Sequence, residues 1–91
     1  MDYEKYCLMR RIVLETLDRR GKWGGAHTSV VNMLKKIPRE NRGSKETKRA
    51  IADLVKERKI MLKKTVEDDH VSLNPRFIKE IKEEIDSKLI L

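Results

Sequence analysis

Apolar residues recur at helical spacing from Tyr3 to Arg20, where Tyr6, Met9, Ile12, Val13, Thr16 and Leu17 share one face and Gly21 supplies the stop. This predicts a first helix. Cys7 and Leu14 lie off that face, so a second side of the helix needs cover, either from the rest of the chain or from a partner. Between Gly21 and Thr28 the period is lost, and the stretch reads as a connection with room for a residue or two of strand. Thr28 or Ser29 then caps a second, short helix in which Val30, Met33, Leu34 and Ile37 repeat until Pro38. A turn over 38–43 leads to Ser44, an N-cap for a third helix running toward Lys59. Beyond Lys59 the period becomes two: Ile60 and Leu62, then Val71 and Leu73, flank the polar tip Glu67-Asp68-Asp69 and predict a β-hairpin. Asn74-Pro75 opens a final helix over 75–91 whose Phe77, Ile78, Ile81, Ile85 and Leu89 form one apolar stripe.

The third helix has three distinct sides. At 100° per residue, Lys45, Lys48, Arg49, Lys56 and Lys59 fall within about 100° of arc around the small residue Ala52. The acids Glu46, Asp53 and Glu57 collect on one flank, and Thr47, Ala50, Ile51, Leu54, Val55 and Arg58 share the far side. The pattern predicts a buried face, an acidic shoulder and a cationic front that can enter a groove lined with phosphates. A solvated lysine face in a chain that is 41% charged is the plainer alternative.

Charge supports the first reading without proving it. The 22 Lys and Arg outnumber the 15 Asp and Glu, which favours a polyanionic partner and says nothing about fold. Residues 1–66 carry 18 basic and 8 acidic side chains against 4 and 7 in residues 67–91, so any such work belongs to the first two thirds. The absence of glutamine, with abundant Lys, Arg and Glu, leans toward a heat-adapted, thermophilic source, where charged surfaces also serve stability. Ninety-one residues make a single domain with a small core. No apolar run reaches the length of a membrane span, and Met1-Asp2-Tyr3-Glu4 lacks a signal-peptide pattern. One cysteine, Cys7, fits a reducing compartment, so a cytoplasmic location is expected.

Residues with potential chemistry are few. Cys7, His27 and His70 match no zinc signature, so no metal or other cofactor is expected; His27 is read as a hydrogen bonder at a turn or helix start and His70 as an exposed strand residue. Asp68, Asp69 and His70 read as a solvated loop. Trp23 is assigned to the edge of the core in preference to a base-stacking role, and the four Met to packing. With no phosphate loop, nucleophile elbow or spaced catalytic carboxylates, no catalytic residue and no enzyme activity are expected.

The order helix, connection, helix, turn, basic helix, hairpin, helix resembles the winged helix-turn-helix family over nearly the whole chain, and in particular its small archaeal members. The resemblance rests on Ala50-Ile51-Ala52-Asp53-Leu54-Val55-Lys56-Glu57-Arg58-Lys59-Ile60 and on the hairpin ending Val71-Ser72-Leu73-Asn74-Pro75. It implies a mainly α fold with a small β-hairpin: a three-helix core plus wing and C-terminal helix, acting as a DNA-binding protein in transcription regulation. Duplex DNA would meet the basic helix 44–59, with Lys45, Lys48, Arg49 and Ala52 near base edges or phosphates and Lys56 and Lys59 on phosphate alone. Arg49 is the candidate for reading guanine. Lys35, Lys36, Arg39 and Arg42 would flank the groove, Ser44 would present free backbone N–H groups to a phosphate, and Lys63 and Lys64 would act from the wing. The acidic tip Glu67-Asp68-Asp69 departs from the usual basic wing. A homodimer is the expected assembly, because the chain ends Leu89-Ile90-Leu91 with Ile90 and Leu91 off the apolar stripe, and Phe77, Ile78, Ile81, Ile85 and Leu89 are its candidate contacts. The alternatives are a winged-helix module for protein partners and an RNA- or ribosome-associated protein; 4% aromatic content weighs against single-strand stacking.

Overall fold

In the computed structural model, which describes residues 1–87, the chain runs α1 (Tyr3–Arg19), β1 (Thr28–Ser29), α2 (Val30–Leu34), a 3-10 turn at Arg39–Asn41, α3 (Lys45–Lys56), β2 (Ile60–Lys64), β3 (Asp69–Leu73), a second 3-10 turn at Pro75–Phe77, and α4 (Ile78–Asp86). It is a mixed helix and sheet fold with a three-stranded antiparallel sheet in the order β1-β3-β2. The sheet is one strand wider than the expected hairpin. β1 contributes only Thr28 and Ser29, opposite Val71 and His70, and two residues are too short to leave a period in the sequence. In the hairpin itself Ile60 faces Leu73 and Leu62 faces Val71, as the alternation predicts.

α1 is the hub, packed against α2, α3, α4 and β3. That explains Leu14, which the first helical face left out. It is completely buried within the chain together with Met9, Val13 and Leu17, because α1 is covered on more than one side. Met33 and Ile37, Ala50 and Leu54, Ile60, Val71, Leu73 and Ile81 complete the core. Trp23 packs at its edge, as expected, and donates its indole N–H to Asp18 at 3.0 Å.

The helix starts are set by side-chain caps. Asp2, Ser29 and Ser44 accept from the backbone N–H groups of Lys5, Asn32 and Thr47, so of the two expected caps for α2 it is Ser29 that serves. α2 is shorter than its apolar pattern, ending at Leu34 and continuing as turns in which Lys36 N–H bonds Met33 O and Ile37 N–H bonds Leu34 O. α4 also begins later than expected, since Asn74 caps the 3-10 turn at Pro75–Phe77.

Two helices end in the same way with different residues. At the end of α1, Gly21 adopts φ 66° and the N–H groups of Lys22 and Gly21 bond the carbonyls of Leu17 and Asp18. At the end of α3 the equivalent left-handed position is Arg58, at φ 67°, with Lys59 and Arg58 bonding Leu54 and Val55. A side chain with a Cβ is strained there and glycine is not. Arg58→Gly is therefore expected to stabilise the chain by about 0.5 kcal/mol, the relief being partly offset by the freer unfolded glycine. Urea unfolding checks this; a lower midpoint in the variant would show that Arg58 makes compensating contacts through its side chain.

Candidate nucleic-acid interface

The front of α3 is where the cations were expected, and the structure divides them. Lys45, Lys48, Ala52 and Lys56 are exposed on that side, and none of the three lysines has a carboxylate within salt-bridge distance among the described residues. Arg49 is exposed but bent onto Asp53, with its Nε 3.1 Å from Oδ1 and 3.2 Å from Oδ2. Lys59 does not face solvent freely: only 20% of its side chain is accessible, and its Nζ lies 3.1 Å from Glu84 Oε1 and 3.7 Å from Glu57 Oε1. The expected five-cation front is thus three free lysines with a paired arginine at the edge. α3 ends at Lys56, so the chain has left the helix before Lys59 and turns it toward α4.

The acidic shoulder explains why the lysines stay unpaired: its carboxylates are held from the other side, by α1 and the chain start. Glu46 accepts from the backbone N–H of Asp2 at 2.8 Å with Lys5 Nζ 3.9 Å away, and these interactions hold its carboxyl below the ordinary value. Tyr6 donates its hydroxyl to Asp53 at 2.5 Å, the main cause of the lowered Asp53 carboxyl, and Arg49 adds to it. Arg10, buried in α1, grips two carboxylates at once. Its Nη1 and Nη2 each donate to Glu57 at 2.8 Å, and its Nε and Nη2 donate to Glu84 at 2.7 and 2.9 Å. The hydrogen bonds from Arg10 lower the Glu57 carboxyl. Burial pushes Glu84 up, but Arg10 and then Lys59 outweigh it, so Glu84 too lies below its usual value. The guanidinium of Arg10 is raised in turn, chiefly by its bonds to Glu84.

A continuous chain of polar contacts therefore runs Arg49, Asp53, Tyr6, Arg10, then Glu57 and Glu84 with Lys59, tying α1, α3 and α4 together. The sequence marked one part of it, the clustering of Glu46, Asp53 and Glu57 on one flank. It gave no sign of their partners, which lie 44 and 47 residues away, or of Glu84, 74 residues from Arg10.

The network makes stability depend on pH in a definable sense. Because Asp53, Glu57 and Glu84 titrate lower in the folded chain than in the unfolded one, the unfolded state binds more protons in mild acid. The stabilisation is complete above the unfolded carboxylate range of about 4 and is lost as pH falls through the depressed folded values. The melting temperature is expected to fall between about pH 5 and about pH 2.5, and Glu84→Gln should flatten that slope; a melting temperature level across the range would contradict the assignment.

The flanking cations are placed unevenly. Lys35, Lys36 and Arg39 are exposed. Arg42, expected at a phosphate, is folded back: its Nε donates to Ile37 O at 2.8 Å and its Nη2 to Lys35 O at 2.9 Å, closing the turn after α2. Ser44 is committed to capping α3, with Thr47 Oγ1 and Asn41 O also within reach of its hydroxyl. Lys63 and Lys64 are exposed on β2, but Lys64 stands directly across from Asp69, and the tip carries Val66 fully exposed beside Glu67 and Asp68.

Of the residues expected to pair two copies, Ile81 is completely buried within the chain and Phe77 and Ile85 pack against the same core. Ile78 departs from the stripe and is 51% exposed, having rotated to its edge. Leu89, Ile90 and Leu91 lie outside the described residues. Cys7 lines a groove of about 730 Å³ between α1 and the end of α4, with Tyr3 and Leu8 exposed at its sides. It is not near the histidines: His27 and His70 meet each other instead, Nδ1 to Nδ1 at 2.7 Å, and His70 is half-buried where an exposed strand residue was expected. Among the described residues no helix is long and apolar enough to cross a membrane, and no three His, Cys, Asp or Glu side chains are grouped to hold a metal ion. Comparison with known proteins found no matching family model, no matching curated protein and no matching solved structure.

Proposed function

We propose that the chain is a winged-helix protein that binds duplex DNA through the front of α3. The observation that carries this reading is the separation of charge on that helix. Glu46 and Asp53 of α3, with Glu57 at its end, are engaged from the α1 side, while Lys45, Lys48 and Lys56 are exposed around the small Ala52 with no salt-bridge partner among the described residues. A lysine stripe that served only solubility has no need to have its own acids sequestered. With Glu46 and Glu57 drawn toward α1, Asp53 is the one α3 carboxylate that reaches the edge of the front among the described residues, and the three lysines present a positive field to a polyanion. Lysine acts on phosphate as a point charge, so these three residues supply affinity and salt sensitivity more than sequence preference. Arg49 is the readout candidate. It must exchange Asp53 for a base edge, and because the pair is exposed that exchange costs little.

In this reading the first turn of α3 faces the backbone, with Lys35, Lys36 and Arg39 beside it. The hairpin contributes less than a wing usually does, since its tip is acidic. Gel shifts with generic duplex, single-stranded DNA and structured RNA at low salt test the reading, and the duplex is expected to be bound in preference. Preference for RNA, or binding to none of the three, would overturn it. The acidic tip with its exposed Val66 favours the second reading, a winged-helix module for a protein partner, and the last of these outcomes would support that alternative.

Asp53→Asn provides a finer check. Removing the carboxylate frees Arg49 and takes one negative charge from the edge of the front, so duplex affinity is expected to rise a few-fold; a loss of affinity in a folded variant would place Arg49 outside the interface.

A further inference from the structure

Away from α3, the outer face of the sheet brings two imidazoles together. His27 immediately precedes β1 and His70 lies in β3, where it stands opposite Ser29, so antiparallel pairing sets the two rings diagonally across one face. Their Nδ1 atoms are 2.7 Å apart, with ring centroids at 4.7 Å and planes at 76°. They sit in a pocket of about 280 Å³ whose wall includes Met61 and Lys63. Two facing lone pairs at this distance repel, and two facing N–H groups clash. The gap therefore takes one electrophile: a proton shared by a donor and an acceptor nitrogen, or a metal ion.

We infer that His27 and His70 form a two-histidine chelate for a late first-row divalent cation of the zinc and nickel class. Such ions bind neutral imidazole nitrogen at about 2.0–2.1 Å, which places two ligating nitrogens roughly 2.9–3.3 Å apart for bond angles between a right angle and the tetrahedral one. The rings need to open by only a few tenths of an ångström, and the backbone pairing of β1 with β3 keeps them adjacent while they do. Both rings take the tautomer with the proton on Nε2, so the donor ring moves its proton through solvent from Nδ1 to Nε2 and none is released. Water completes the coordination. Lys63 stands directly across from His70 and opposes the ion; its side chain is exposed, so its ammonium can turn away into solvent. Imidazole-rich sites of this kind select nickel, copper and zinc over magnesium and calcium, which prefer oxygen.

The site lies on the sheet, away from the front of α3, and its test requires no DNA. Zn²⁺ is titrated into the full chain by calorimetry, with NMR of the imidazole nitrogens as a parallel readout. One equivalent is expected to bind, with Nδ1 of both histidines shifting together and Mg²⁺ producing no change. His27→Asn and His70→Asn should each abolish that binding, whereas Cys7→Ser should retain it. Absence of saturable binding, a shift at one ring only, or loss of binding in Cys7→Ser would overturn the inference, and the ring shifts of the unsubstituted chain decide the matter even if a histidine variant fails to fold.

Discussion

Arg10→Ala is expected to destabilise the chain by about 3 kcal/mol, the low end of the cost of breaking a buried ion pair by removing one partner. For a domain of this size that corresponds to a fall in melting temperature of roughly 15 °C. Arg10 is 8% exposed, and its guanidinium donates four hydrogen bonds to two carboxylates on two other helical segments. Without it Glu84 is left half-buried with Lys59 as its remaining cationic partner among the described residues, Glu57 turns to solvent, and Tyr6 loses its neighbour. The network owes its worth to being complete, so an apolar replacement of both sides should behave differently. Arg10→Met combined with Glu84→Leu is expected to recover more than half of the loss, since it leaves one partly exposed carboxylate in place of two stranded ones. Urea unfolding of the two variants measures the difference. A cost below about 1 kcal/mol for Arg10→Ala would mean that the carboxylates are solvated in the folded chain and that the ion cluster does not organise α3.

The second large effect is on binding. Replacing Lys45, Lys48 and Lys56 together by alanine is expected to lower duplex affinity on the order of 100-fold at 0.1 M salt and to reduce the slope of log K against log salt by about 2.7, one released counterion for each lost phosphate contact. Stability should change little, within about 0.5 kcal/mol, because all three side chains are exposed and unpaired among the described residues. Fluorescence anisotropy on a labelled duplex, with unfolding curves alongside, separates the two effects. Full affinity in a folded triple variant would remove α3 from the interface.

What the sequence disclosed, it disclosed where local rules are strong. Ser44 and Gly21 mark a helix start and a helix end by chemistry that acts over one turn, and both do so in the structure. The apolar periods of α1, α3 and the hairpin likewise place Met9, Val13, Leu17, Ala50, Leu54, Ile60 and Leu73 in the core. The departures come from contacts between distant segments. Whether Lys59 is free depends on Glu84, 25 residues on, and whether Arg42 is free depends on carbonyls left open by the early end of α2. Two-residue β1 is defined by its partner β3, and it is that pairing which carries His27 to His70. Arg58 occupies a position for which glycine is the usual signal, so nothing in its identity announces the left-handed turn. The cationic front was thus legible as a pattern, while the division into free and paired cations required the packing of α1 and α4 against α3.

The central claim is that Lys45, Lys48 and Lys56 act together as a phosphate-binding surface, and the salt dependence of duplex binding tests it most directly. With Lys35, Lys36 and Arg39 contributing in part, log K for a generic duplex is expected to fall linearly with log salt at a slope between about −3 and −5. A slope indistinguishable from zero, or no duplex binding at about 50 mM salt, would contradict it.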